Sequence, residues 1–161
     1  MARLLIVHHS PTDTVRSLTD AVVAGAQDDE IDGVEVVVKP ALEAGADDVL
    51  GADGYLLGTT ANFGYMSGAL KHFFDTIFLQ AGGALSDDGS AAAGSGGKKP
   101  FGLWVHGRYD TTGAVRSVLS IVGALPWNQT AEVLEVLGDV DEKQRAAAYE
   151  LGGTLAALLM D

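Results

Sequence analysis

Cysteine is absent from all 161 residues, which excludes disulfides, thiolate metal sites and a cysteine nucleophile. That absence fits a reducing compartment. Cations are scarce too: 10 Lys and Arg stand against 22 Asp and Glu, a formal net charge of −12. Nucleic-acid binding needs clustered Lys and Arg, so that partner class is set aside. The acidity serves colloidal solubility first and the attraction of basic redox partners second. No apolar run approaches the ~18 residues needed to cross a bilayer, and a strand begins almost at Met1. The expectation is a cytoplasmic chain without a membrane span. A phosphate-binding G-x-x-x-x-G-K-[ST] string is missing as well, which removes the nucleoside triphosphatases of that type.

What is present alternates. Arg3 to His8 is a continuous apolar strand, followed by Ser10-Pro-Thr-Asp-Thr14, rich in turn and N-cap residues, and by Val15, Leu18, Val22 and Ala26 at helical spacing. Val34 to Val38 reads as a second strand, Asp47 to Asp53 as a short helix or turn, and Tyr55 to Leu57 as a buried third strand. Ala69, Leu70, Phe73, Phe74, Ile77 and Phe78 give the next helix its apolar face. Residues 80 to 99 are nearly all Gly, Ala, Ser and Asp and read as a mobile insertion. Phe101 to Val105 is a fourth strand, Ala114 to Gly123 a fourth helix and Thr130 to Leu137 a fifth strand. Asp141 caps a last helix faced by Ala148, Leu151, Leu155 and Leu158.

This alternation predicts one α/β domain over residues 1 to 161: a doubly wound five-stranded parallel sheet, order 2-1-3-4-5, with helices on both faces. The order reverses between the first and third strands. Ligands of such sheets bind at the carboxyl ends of the strands beside that reversal. Three loops leave those ends. The first carries Ser10, Thr12, Asp13 and Thr14 at a helix amino terminus, where unpaired N–H groups favour an anion. The second carries Thr59, Thr60, Ala61, Asn62, Phe63, Gly64, Tyr65 and Met66, with hydroxyls and an amide for hydrogen bonds and aromatic rings for stacking. The third carries His106, Gly107, Arg108, Tyr109 and Thr112. The four histidines fall on separate elements or opposite faces, so no metal site is expected.

The string Gly58-Thr-Thr-Ala-Asn-Phe-Gly-Tyr-Met66, followed by a helix carrying Lys71, resembles the second flavin loop of the flavodoxin-like superfamily. It is similar to the form found in the NAD(P)H:quinone oxidoreductase (Trp-repressor-binding-protein) type and in related FMN reductases. Thr60 stands where that pattern usually has proline. The resemblance implies non-covalent FMN, with NAD(P)H as donor and a quinone or similar small acceptor. It leaves open a flavodoxin-type carrier that passes electrons between redox proteins. In similar reductases the region after the central helix often supplies active-site or oligomer contacts, so a homo-oligomer is a further expectation. Ser10 and Thr12 also match the flavodoxin first-loop pattern [Ser/Thr]-x-Thr-Gly-Asn-Thr. Asp13, Thr14 and Val15 depart from it. A carboxylate at 13 would repel a phosphate unless it turns outward, caps the helix or pairs with Arg16, the only cation near that loop in sequence.

Overall fold

The computed structural model describes residues 1–83 and 98–161. The insertion expected over residues 80 to 99 therefore falls largely outside the described residues. The elements run β1 (Ala2–His8), α1 (Asp13–Ala26), β2 (Val34–Pro40), α2 (Ala46–Leu50), β3 (Gly54–Asn62), β4 (Tyr65–Met66) and α3 (Gly68–Ile77). They continue with β5 (Lys99–Gly107), α4 (Thr112–Val122), β6 (Trp127–Gln129), β7 (Leu134–Leu137) and α5 (Glu142–Ala157).

Successive strand residues point to opposite faces, and the apolar strands of this chain fill both. Leu5, Val7, Tyr55, Leu57, Phe101 and Leu103 pack with Phe73, Phe74, Ile77 and Val118 of α3 and α4. Their neighbours Leu4, Ile6, Leu56 and Trp104 pack with Leu18, Val22, Leu151 and Leu155 of α1 and α5. A sheet covered on both sides follows directly from that split. Its order is β2-β1-β3-β5-β6, with β7 also against β5 and β4 folded back on β3. Apart from the antiparallel β3–β4 pair, every pairing among the described residues is parallel. The expected order is present, with β5 as the fourth position.

The fifth position differs from the expected single strand. Lys99 to Phe101 pair with β6, and Trp104 to Gly107 pair with β7. Thr130 still donates its N–H to the Phe101 carbonyl at 3.0 Å before the chain leaves the ladder. Strand β6 begins at Trp127 because that ring is core: it stacks on Tyr55 with centroids 4.2 Å apart and lies 5.9 Å from Phe101. Strand β3 also runs further than its apolar residues suggest. Threonine suits a pleated surface, and Thr59 and Thr60 pair with Val105 and His106 of β5.

Two glycines on the other face allow backbone contact between helices. A Cβ on Gly25 would lie 1.9 Å from the Tyr149 carbonyl oxygen, and one on Gly152 would lie 1.9 Å from that of Val22. Helices α1 and α5 are thereby locked together. Asp141 caps α5 through a box with Gln144, as the sequence indicates, whereas Leu158 lies past the helix end and is exposed.

Candidate functional site

At the end of β1, Thr12 caps α1 and accepts the Val15 N–H at 3.3 Å. The first amides of a helix have no carbonyl partner within it, so this terminus carries free donors and the positive end of the dipole. Asp13 points into solvent, with Arg16 at 3.5 Å. Its carboxylate has turned outward, one of the arrangements that makes the first loop compatible with an anion. The Ser10 hydroxyl is engaged inward, 2.8 Å from His8 Nδ1 and 2.7 Å from Thr19 Oγ1. Burial, helped by His9 and Arg16 and opposed by Asp20, holds the His8 imidazole below its ordinary range.

The second loop is a hairpin. Ala61 and Asn62 pair with Met66 and Tyr65, leaving Phe63 and Gly64 as a two-residue turn. Both have positive φ, 51° and 76°, as a type I′ hairpin turn requires. Glycine adopts that region freely, whereas a side chain there costs about 1–2 kcal/mol. Phe63 accepts this strain while its ring is fully exposed. An exposed ring held at a strained position contributes nothing to the core.

Thr59 and Thr60 have different tasks. The Thr59 hydroxyl donates to the Thr60 carbonyl and accepts the Ser67 N–H, both at 2.9 Å, and Ser67 caps α3. Thr60 Oγ1 is buried with no hydrogen-bond partner among the described residues. Buried polar atoms are nearly always paired, so this orphan at the carboxyl end of a central strand has hydrogen-bonding capacity left over. Met66 belongs to the core and Tyr65 is partly exposed.

The third loop is fastened to the chain after β7. His106 Nε2 donates to the Gly138 carbonyl at 2.6 Å, Gly138 returns its N–H to the Gly107 carbonyl at 2.8 Å, and Thr111 donates to Glu135 at 2.7 Å. Asp110 accepts the Thr112 N–H, a bond that holds its carboxyl below the usual range. The Arg108 side chain is largely exposed, and Tyr109 is 92% exposed. At the amino end of α4, Gly113 packs on the hairpin tip: a Cβ there would lie 1.9 Å from the Gly64 carbonyl oxygen.

These loops enclose two adjoining clefts. The first, of about 250 Å³, lies between Thr12, Thr14 and Val15 at the start of α1, Thr60 on β3, and His106 to Arg108. The second, of about 650 Å³, lies between the hairpin from Ala61 to Gly64 and the turn from Arg108 to Asp110. Ala61, Asn62 and Arg108 form walls of both. Ser10, Asp13, Thr59, Tyr65, Met66 and Thr112, all candidates from sequence, line neither cleft. Glu135 and Gly138 were not candidates, because their contacts with the third loop span 24 and 32 residues and leave no local pattern. No cluster of potential metal ligands occurs among the described residues, and no helix among them is long and apolar enough to cross a membrane.

No family model matches the chain. A flavodoxin from Aquifex aeolicus (strain VF5) is 31% identical over 97 residues, 60% of this chain; the match spans about half the length of that relative, 51%. Among solved structures, a flavodoxin from the domain Archaea superposes with a TM-score of 0.77 at 14% identity, covering 98% of each chain. The fold is flavodoxin-like. A WrbA-like flavodoxin from Agrobacterium tumefaciens shares it with a TM-score of 0.68 at 15% identity, over 99% of this chain and 98% of its own. In this flavodoxin-like frame the two clefts open at the carboxyl ends of β1, β3 and β5, around the point where strand order reverses.

Proposed function

We propose that this chain binds FMN without a covalent bond across the two clefts and acts as a flavodoxin-type electron carrier. The observation that carries the reading is the pairing of two exposed rings with one orphaned hydroxyl. Phe63 and Tyr109, from separate loops, both line a cleft roomy enough for a planar aromatic ligand. That cleft shares walls with the cavity that Thr60, whose Oγ1 is buried, lines together with Thr12, Thr14 and Val15 at the start of α1. An aromatic ring system bearing a phosphate fits both halves: stacking for the ring, N–H groups and the helix dipole for the anion. Bound FMN supplies the redox chemistry, and the chain supplies position and electrostatics. Thr60 would donate to the ligand, Thr12 would keep the α1 terminus formed, and the rings would hold the flavin plane.

The carrier is favoured over an NAD(P)H oxidoreductase because the two rings, fully or nearly fully exposed, put the second cleft at the surface, where a flavin edge would meet a partner protein. The sequence match to a flavodoxin points the same way. Titrating the chain with FMN and FAD, followed by flavin fluorescence quenching, tests the binding. Preference for FAD, or no quenching, would sink the idea. Mixing the loaded protein with NADH or NADPH then separates the two roles. A carrier stays oxidised. Direct reduction with turnover of a quinone would favour the oxidoreductase type that the second loop resembles.

A further inference from the structure

The anion half of the clefts raises a question of charge. A phosphate monoester carries about −1.5 to −2 at pH 7, whereas a helix terminus offers the equivalent of roughly half a positive charge. Backbone N–H groups can hold such an anion by themselves, and a side-chain cation lining the cleft would add selectivity for it. Arg16, the cation that the sequence places nearest, is turned away: it approaches Asp13 and lines a separate depression with His8 and Asp20. Arg108, from the third loop, is the one Lys or Arg among the described residues lining the cavity, which it shares with Thr14 and Thr60. Its only ion-pair partner among the described residues is Asp139, at 4.0 Å, with both side chains largely exposed. So long and exposed a pair is weak and easily exchanged.

We infer that Arg108 is the counter-ion that selects a phosphorylated flavin over an unphosphorylated one, leaving Asp139 to place its guanidinium against the bound phosphate. This rests on the FMN reading and adds to it a specificity residue that lies far in sequence from the helix terminus it serves. A guanidinium suits the task because its N–H fork matches two phosphate oxygens at once. The loop is built to hold it there. His106 and Gly107, just before Arg108, are anchored on both sides of Gly138, so the arginine leaves a fixed base.

The test compares FMN with riboflavin, which has the same ring system and no phosphate, on the full-length wild type, Arg108→Ala, Arg108→Lys and Arg16→Ala. Arg108→Ala should weaken FMN by roughly 10- to 100-fold, as expected for a charge-assisted hydrogen bond, and leave riboflavin almost unchanged. Arg108→Lys should recover part of the loss, since it restores the charge without the fork. Inorganic phosphate should compete with FMN less well on Arg108→Ala than on wild type. Thermal melts of the unliganded variants check that this exposed substitution leaves the fold intact. Equal losses for FMN and riboflavin would overturn the inference while leaving the FMN site standing. So would a phosphate-selective loss confined to Arg16→Ala. Failure of the wild type to bind FMN would overturn both the inference and the reading beneath it.

Discussion

The chain uses aromatic residues in two opposite ways. Tyr55, Phe73, Phe74, Phe101 and Trp104 are almost wholly buried, and Trp127 nearly so. Tyr55 even spends its hydroxyl inside, donating to the Val49 carbonyl at 2.7 Å, and its pKa is pushed up to about 12, chiefly by burial. Phe63 and Tyr109, on loops at the strand ends, touch almost nothing. Burial of an aromatic ring stabilises the fold, while exposure leaves that free energy to be realised on binding. The first group therefore stabilises the fold, and the second is where the proposed ligand would find its stacking surface.

Substitution separates the two groups. Trp127→Ala removes a ring stacked on Tyr55 and Phe101 and should cost about 3–5 kcal/mol in urea unfolding. Tyr109→Ala should stay within about 0.5 kcal/mol of wild type while weakening FMN by about 1–3 kcal/mol, the range of an aromatic platform under a base. If Tyr109→Ala destabilised the free protein as Trp127→Ala does, the division would fail.

Thr60→Val tests the same division in a polar group. Removing a buried hydroxyl that has no partner should raise the stability of the unliganded chain by about 1–3 kcal/mol, yet weaken FMN. A destabilised free protein would mean that the hydroxyl already has a partner. Phe63→Asn follows, with a gain of about 1 kcal/mol from placing asparagine before glycine in a positive-φ turn, together with a loss of flavin stacking. Denaturation curves with and without FMN read both signs.

The smallest effect concerns His8, beneath the first loop. Its folded pKa lies below the ordinary 6.5, so the unfolded chain takes up a proton first as pH falls. The corresponding stability is complete above 6.5 and is lost as pH falls through the folded value. His8→Gln should flatten that slope in melts taken above and below 6.5. An unchanged slope would place the titration elsewhere.

Much of the frame was legible in the sequence because it follows local periodicity. The apolar runs of β1 and β3, and the spacing of Val15, Leu18 and Val22, are enough to pair a buried strand with a helix. What escaped depends on distant partners. Strand β6 is three residues long and is recruited by Lys99 to Phe101, so nothing local marks it as a strand. Thr59 and Thr60 look like loop hydroxyls until β5 pairs with them. The site divides likewise: the loop from Gly58 to Met66 stood out by its hydroxyls and rings, but its hairpin did not, because Phe-Gly is no local signal for a positive-φ turn. The convergence of Arg108 with Thr14 and Thr60 exists only after the sheet has formed.

Amide shifts in a two-dimensional NMR spectrum of the isotope-labelled chain, recorded as FMN is added, test the central claim most directly. Three loops from separate strands should respond together, with the largest changes at Thr14, Thr60, Phe63, Arg108 and Tyr109. The groove between α1 and α5, lined by Gly25, Tyr149 and Gly153, should stay still. Shifts confined to that groove, or to one loop without the others, would contradict the account.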